Sequence, residues 1–156
     1  MHYVEYGKEN NKTILLLHGG GLSWWNYEDV AKSLQKDYHI ILPILDGHAE
    51  SDKSFTTIED NAAEIIAFID AHFGGSVFLI GGLSLGGQIL LEILSQRNDI
   101  CNYAIIASAR VIPSKLTHSM IKPAFESSFG LIQYKWFSKL QFKSLKIKSD
   151  LFDYYF

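Results

Sequence analysis

The chain has 156 residues, and its 47% hydrophobic and 13% aromatic content is enough for the core of one domain, which excludes an intrinsically disordered protein. A net charge of −3 at pH 7 gives no general attraction to phosphate backbones, so we expect no nucleic-acid partner. No apolar run approaches the ~20 residues that cross a bilayer, no secretory leader is recognisable and there is a single cysteine, so we expect a cytoplasmic protein without a membrane partner.

Short apolar runs predict the strands of a sheet. Residues 14–17, 39–42, 77–80 and 103–107 lack the in–out alternation of half-exposed strands, so each run is expected to be buried on both faces. Residues 3–6 are expected to add one antiparallel strand at an edge.

Helical patterns lie between these runs. The first apolar stripe begins at Tyr27, the second covers residues 58–73 behind a capping box from Thr56 to Glu59, and the third covers residues 85–96. Strands that alternate with helices of this length form right-handed crossovers. The sequence therefore predicts an α/β fold with a doubly wound, mostly parallel sheet.

A Gly-Leu-Ser-Leu-Gly pentapeptide at residues 82–86 follows one buried run directly and precedes the third helical pattern. A serine in such a sharp strand-to-helix turn has a strained backbone, and the flanking glycines let strand and helix pass closely. The first amides of the helix point to where negative charge develops during acyl transfer. This context predicts a nucleophile elbow with Ser84 as the nucleophile.

Two further motifs accompany the pentapeptide. His-Gly-Gly-Gly at residues 18–21 ends one buried run, and Pro-Ile-Leu-Asp-Gly-His-Ala-Glu-Ser at residues 43–51 follows the next. Together the three motifs resemble those of the α/β-hydrolase superfamily, in the same order, and they cover roughly residues 2–110. The segment 43–51 departs from the family's pattern at Ile44 and Ala49, where Asp and Gly are usual.

The resemblance implies a serine hydrolase that acts on a carboxylic ester or a related small acyl substrate. The oxyanion hole would be formed by the backbone N–H groups of Leu85 and Gly20, with Gly21 as an alternate to Gly20. Each such donor contributes about 3 kcal/mol of transition-state stabilisation. Lipases, thioesterases, peptidases and other hydrolases share these motifs, so the substrate stays open.

Two tryptophans and two histidines are further candidates for contacts at the site. Trp24 and Trp25 are candidates for the wall of an acyl pocket, although core or lid packing is the alternative for at least one of them. His18 and His48 resemble motif histidines that brace loops by hydrogen bonds. The remaining histidines lack metal-ligand spacing, so we expect neither a metal site nor a cofactor.

The resemblance divides the chain into an α/β-hydrolase core at residues 1–110 and a helical cap or lid segment of the same domain at residues 111–156. After the last predicted strand, Pro113 and Pro123 bracket a short helical segment, and a longer helix is predicted over 131–148. No further strand is predicted.

The sequence lacks a convincing triad base and acid for Ser84. The family places an acid and then a histidine after later strands, whereas the only histidine after Ser84 is His118, in the predicted lid. The acids that remain are not followed by a matching histidine: Asp99, Glu126, Asp150 and Asp153.

Three explanations of the missing base stay open. The chain is the N-terminal part of a larger hydrolase, or it is a catalytically incomplete, hydrolase-like protein that binds ligands without turnover, or the triad is completed by a second chain or through His118. A sheet that stops at residue 107 would leave an unpaired strand edge, which favours a homodimer or aggregation.

Overall fold

The computed structural model describes residues 1–111, 131 and 134–144. The chain forms two compact units, Met1–Val111 and Ile112–Phe156. Of the predicted lid, the whole first helical segment, with its two bracketing prolines and His118, lies outside the described residues. Among the described residues, no helix is both long and apolar enough to cross a membrane.

The unit Met1–Val111 is built around one five-stranded sheet. Its strands are β1 (Tyr3–Tyr6), β2 (Thr13–Leu17), β3 (His39–Pro43), β4 (Val77–Leu83) and β5 (Cys101–Ala107). Their order is β1-β3-β2-β4-β5, with β1 antiparallel to β3 and all other neighbours parallel. The chain passes from β2 to β3 on one side and then places β4 on the other side of β2. The predicted α/β fold, with a doubly wound sheet and an antiparallel edge strand, is confirmed.

The helices follow the predicted stripes. A 3₁₀ turn at Trp24–Tyr27 leads into α1 (Glu28–Leu34), and the crossovers that follow contain α2 (Ile58–Phe73) and α3 (Leu85–Gln96). In the second unit, α4 spans Lys135–Ser144, within the longer helix predicted there.

The capping of α2 differs from the prediction by one residue. Thr57, in an extended conformation, is the N-cap, and its Oγ1 accepts a hydrogen bond of 3.0 Å from the backbone N–H of Asp60. The predicted pair of Thr56 and Glu59 was wrong because two adjacent threonines and two adjacent acids satisfy the pattern in two registers. Gly74 ends the helix with a left-handed φ of 66°.

The two faces of the sheet bury separate clusters. Leu15 and Leu17 of β2 point to the face that α2 and α3 cover, whereas Ile14 and Leu16 point to the opposite face, where Ala31 of α1 packs. Alternate residues of a strand point to opposite faces, so an unbroken apolar run suits a strand that is covered on both sides. Each fully buried Leu or Ile side chain contributes about 1.5–3 kcal/mol to the free energy of unfolding.

Strand β5 is the exception to the predicted burial. Tyr103, Ile105 and Ile106 are 59%, 56% and 42% exposed. The expectation that residues 103–107 are buried was wrong because β5 is the last strand in the sheet order, and among the described residues it pairs only with β4.

Candidate active site

Ser84 lies in the turn that joins β4 to α3, and its backbone is strained. Its φ of 52° and ψ of −107° fall in a region that residues with a Cβ rarely adopt. Its N–H donates a hydrogen bond of 2.8 Å to the carbonyl oxygen of Ala107 in β5, and its carbonyl accepts one of 3.0 Å from the N–H of Gln88. These bonds hold the turn from both sides, and the Ser84 side chain is exposed.

Two glycines of the pentapeptide, and Gly87 directly after it, let the backbones of the strands and the helix touch. A Cβ on Gly82 would overlap the carbonyl oxygen of Gly86, and a Cβ on Gly86 would overlap the carbonyl oxygen of Leu17 in β2. A Cβ on Gly87 would lie 2.9 Å from the Cβ of Ala109. Residues with a side chain at these positions would move α3 away from the sheet and with it the turn that presents Ser84.

The loop after β2 contacts this turn. A Cβ on Gly19 would lie 3.6 Å from the Cβ of Ser84, and a Cβ on Gly20 would lie 3.9 Å from the Cβ of Leu85. Gly21, with a φ of 72°, turns the chain back directly afterwards. The structure thus brings together the two residues predicted to form an oxyanion hole. They lie at the carboxyl ends of β2 and β4, where the strand order reverses and where open α/β sheets bind their ligands.

His18 joins the loop after β2 to the segment after β3. Its ring is fully buried, its Nε2 accepts a hydrogen bond of 3.1 Å from the backbone N–H of Leu45, and its Nδ1 lies 2.9 Å from the carbonyl oxygen of Gly19. Because Nε2 must accept from an amide, the proton is on Nδ1, which donates to Gly19. Burial, partly opposed by the bond to Gly19, lowers the pKa of His18 to about 4, so the ring is neutral at pH 7.

The segment after β3 is held by several polar contacts. The Nδ1 of His48 lies 3.0 Å from the carbonyl oxygen of Asp46, and the His48 ring meets the His18 ring edge-on with centroids 4.8 Å apart. The N–H of Asp46 donates to the side-chain oxygen of Asn61 in α2 at 3.3 Å. Both motif histidines therefore make contacts that brace loops.

The two adjacent tryptophans lie in different surroundings. Trp25 is 5% exposed, as a core residue would be. Trp24 is half-buried, packs against the cluster on the α1 face of the sheet, and donates from Nε1 to the Oε2 of Glu50 at 3.2 Å. These contacts connect Trp24 with the segment after β3. The prediction that either indole lines an acyl pocket stays a prediction.

The five histidines within the described residues all have other partners. His18 and His48 bond as above, His2 pairs with Asp52, His39 pairs with Glu5, and the Nδ1 of His72 lies 3.0 Å from the carbonyl oxygen of Phe68. Asp99 pairs with Arg97 at 3.2 Å. The other candidates for base and acid lie outside the described residues: His118, Glu126, Asp150 and Asp153.

Sequence reasoning missed the contribution of the segment after β5. Ser108 has a φ of 54°, and the side chain of Gln88 in α3 donates a hydrogen bond of 2.7 Å to the carbonyl oxygen of Arg110. Together with the bond from Ser84 to Ala107, this contact fixes the chain after β5 beside the elbow. The only sequence signal for it is a serine and an alanine directly after a strand, which is too common a pattern to identify a site.

The described part of the chain offers neither a metal cluster nor a reactive thiol as an alternative to chemistry at Ser84. Over residues 1–111, 131 and 134–144, no three His, Cys, Asp or Glu side chains are grouped so that they could hold a metal ion. Cys101 is free and half-buried, and burial raises the pKa of its thiol, so the thiol stays protonated at pH 7.

A strained serine between a parallel strand and a helix, with a glycine loop against it, is the arrangement of an α/β hydrolase. A family model described as the alpha/beta hydrolase fold matches residues 12–149, and the chain belongs to this family.

Individual relatives show the same relationship. Lipase 1 of Psychrobacter immobilis is 26% identical over 152 residues, which cover 92% of this chain and 48% of the lipase. An AB hydrolase superfamily protein of Gibberella zeae is 29% identical over 116 residues, which cover 73% of this chain and 41% of that protein. The solved structure of a thermophilic esterase from Thermogutta terrifontis has the same fold, with a TM-score of 0.72 and 22% identity over 81% of this chain and 47% of the esterase. The chain spans about half the length of the curated relatives it matches.

Proposed function

We propose that the protein hydrolyses a carboxylic ester or a related small acyl substrate by nucleophilic attack of Ser84. The observation that carries this proposal is the strained, exposed serine with Gly19 beside it and Gly20 beside the next residue, Leu85. Strain at a residue with a Cβ persists where the surrounding structure imposes it, and such residues are concentrated at active sites. The names of the matched lipase and esterase support an acyl substrate.

The proposed reaction has two halves. The Oγ of Ser84 attacks the carbonyl carbon while its proton passes to a base, and the tetrahedral intermediate expels the alcohol, which takes up that proton. Water then gives a proton to the base and attacks the acyl-enzyme, the bond to Ser84 Oγ breaks, and Oγ takes the proton back as the carboxylic acid leaves. In both halves the N–H groups of Leu85 and Gly20 would hold the oxyanion, helped by the N-terminal dipole of α3, at about 3 kcal/mol for each donor.

The base is assigned to a histidine other than the five of residues 1–111. Each of those five is engaged with another partner, and His18 is held as a neutral structural ring. His118 is the sixth histidine of the sequence. A histidine from a polypeptide segment beyond this sequence is the other source.

A second candidate function is binding of an acyl ligand without turnover. This function is favoured by the finding that all five histidines of residues 1–111 have other partners, which leaves Ser84 without a base among them. An elbow and an oxyanion hole would still bind a carbonyl oxygen without a base. Even so, such a site can accelerate hydrolysis about 10³ to 10⁴-fold over water. Slow turnover therefore does not distinguish the two functions, whereas its dependence on Ser84 does.

The test measures covalent labelling and ester turnover together. A fluorophosphonate reagent and p-nitrophenyl acetate are applied to the chain, to Ser84→Ala and to Ser108→Ala, and the labelled residue is located by mass spectrometry. Ser108 is a matched control because it is also an exposed serine with positive φ, and it follows the carboxyl end of β5 as Ser84 follows that of β4.

The hydrolase is supported if the parent chain and Ser108→Ala are labelled at Ser84 and turn over the ester, while Ser84→Ala does neither. The binding function is supported if the ester quenches tryptophan fluorescence saturably without Ser84-dependent turnover or labelling. Loss of turnover in His118→Ala, with labelling at Ser84 retained in part, would identify His118 as the base.

A further inference from the structure

Three side chains connect the loop after β2 with the segment after β3, here called the cross-loop clamp. Each bond joins one residue of the first segment to one of the second: His18 Nε2 to Leu45 N–H at 3.1 Å, Ser23 Oγ to the Ala49 carbonyl oxygen at 3.4 Å, and Trp24 Nε1 to Glu50 Oε2 at 3.2 Å. The bonds lie on either side of Gly19–Leu22, the turn that contacts the elbow. The clamp therefore brackets Gly20 and its alternate Gly21, the oxyanion-hole donors that this loop is predicted to supply.

Ser23 contributes to the clamp instead of capping the turn that follows it. It occupies the N-cap position of the 3₁₀ turn Trp24–Tyr27, where a serine hydroxyl ordinarily accepts a hydrogen bond from a backbone N–H of the first turn. Here no such cap bond forms, and the buried hydroxyl donates to Ala49. Ser23 thus uses its hydroxyl for a contact between the two segments and not for a helix cap.

Glu50 contributes at the cost of backbone strain. Its φ of 71° is left-handed, which a residue with a Cβ adopts unfavourably, and its side chain is exposed. The conformation belongs to the turn His48–Ser51, which is closed by a hydrogen bond of 2.9 Å from the N–H of Ser51 to the carbonyl oxygen of His48. This turn places the carboxylate of Glu50 where it accepts a hydrogen bond from the indole of Trp24. A glycine would adopt the same φ without strain but would offer no acceptor.

We propose that Glu50 is a positioning residue for the oxyanion hole: through Trp24 it fixes the end of the Gly19–Leu22 turn and so holds the Gly20 amide beside Leu85. Trp24 lies four residues after Gly20 and begins the 3₁₀ turn that leads into α1. Movement of its indole is passed along this short turn to Gly20. The inference rests on the proposed function, because only a reaction at Ser84 uses these amides.

The test separates the two consequences of the residue at position 50, strain and hydrogen bonding. Glu50→Gly removes the strain and the acceptor together, Glu50→Ala removes the acceptor but keeps a Cβ, and Glu50→Gln keeps an acceptor. Trp24→Phe removes the donor. Glu9→Ala, which changes an exposed glutamate elsewhere in the chain, is the matched control. The melting temperature and the rate of Ser84 phosphonylation are measured for each variant.

A positioning role predicts that Glu50→Gly melts no lower than the parent chain but is phosphonylated about tenfold more slowly. This loss of rate is smaller than the 10²–10³-fold loss expected when an oxyanion-hole donor is removed outright. Glu50→Ala and Trp24→Phe should be slowed to the same degree, their double variant no further, and Glu50→Gln much less. A merely structural role would move melting temperature and rate in the same direction. Unchanged rates in Glu50→Ala and Trp24→Phe overturn the proposal.

Amide hydrogen exchange over residues 18–25 provides a readout that needs no reaction at Ser84. The clamp predicts faster exchange at Gly20, Gly21 and Leu22 in Glu50→Ala and in Trp24→Phe, with Glu9→Ala unchanged. If Ser84 of the parent chain does not react, the proposed function fails while exchange still decides the clamp. Exchange that is unchanged in both variants overturns the clamp even if Ser84 is reactive.

Discussion

Among single residues, Gly86 makes one of the closest backbone contacts of the elbow. A Cβ there would overlap the carbonyl oxygen of Leu17, a backbone atom of the central strand β2 that cannot rotate away. We predict that Gly86→Ala lowers the free energy of unfolding by about 1–3 kcal/mol or more, as overpacking does. Urea denaturation measures the change. Gly20→Ala is the control, because its Cβ would meet its nearest neighbour at 3.9 Å; an equal loss in both variants would contradict the prediction.

His18 makes the stability of the protein depend on pH. The pKa of the folded ring is about 4, below the ordinary 6.5, so between these values the unfolded chain binds more protons and stability falls as pH falls. From pH 7 to pH 4 this single group removes roughly 3 kcal/mol, at 1.36 kcal/mol per unit of pKa. Well above pH 6.5 the ring is neutral in both states, and there the group contributes no pH dependence.

The control for this prediction is His18→Gln, whose side-chain oxygen lies about as far from Cβ as Nε2 does, so that it can accept from Leu45, but does not titrate. Urea denaturation of both proteins at intervals between pH 4 and pH 7 isolates the contribution of the ring as the difference in slope. A variant that loses stability as steeply as the parent chain would show that other groups cause the acid sensitivity.

For the secondary-structure elements, the cap of α2 shows how one residue fixes the beginning of a helix. Thr57 accepts the N–H of Asp60, one of the four donors that a helix leaves without an internal partner. We predict that Thr57→Ala lowers the free energy of unfolding by about 1 kcal/mol, whereas Thr57→Ser, which keeps the hydroxyl, costs much less. Equal losses in the two variants, measured by thermal denaturation, would assign the effect to packing of the methyl group instead.

Elements and turns that depend on nearby residues could be predicted from the sequence. The strand, the pentapeptide and the helix around Ser84 lie within 20 residues, and the glycines alone indicate a close approach. The sequence does not distinguish between adjacent similar residues, so the pattern predicts the cap of α2 at Thr56 although Thr57 forms it. Contacts between distant segments, such as Glu50 with Trp24 and Gln88 with Arg110, depend on the strand order, and no pattern in the sequence indicates them.

Strand β5 illustrates a different limit. An apolar run such as residues 103–107 is typical of a strand covered on both faces, but the sequence does not say what covers it. In the described residues β4 supplies one neighbour and α3 packs nearby, and the far edge is exposed. The pattern therefore predicts the identity of the element correctly and its burial wrongly.

For the whole molecule, we expect the edge of β5 that pairs with no further strand among the described residues to determine how the chain associates in solution. Residues 101–107 contain no charged residue and no proline, which are the features that usually prevent edge strands from pairing. Tyr103 and Ile105 add large apolar side chains that are more than half exposed. We therefore expect copies of the chain to associate through this edge.

The prediction is that Ile105→Lys shifts the chain toward monomer, because a charge on the edge opposes burial against a second copy. Sedimentation velocity over a concentration series measures the shift. Val30→Lys is the matched control, since Val30 is also an exposed apolar residue, 43% accessible, but lies on α1. A parent chain that sediments as a monomer at every concentration would contradict the expectation, and an equal shift in both variants would assign association to general surface hydrophobicity. Association that only Ile105→Lys weakens would place the contact at β5, the strand whose Ala107 carbonyl oxygen holds the N–H of Ser84.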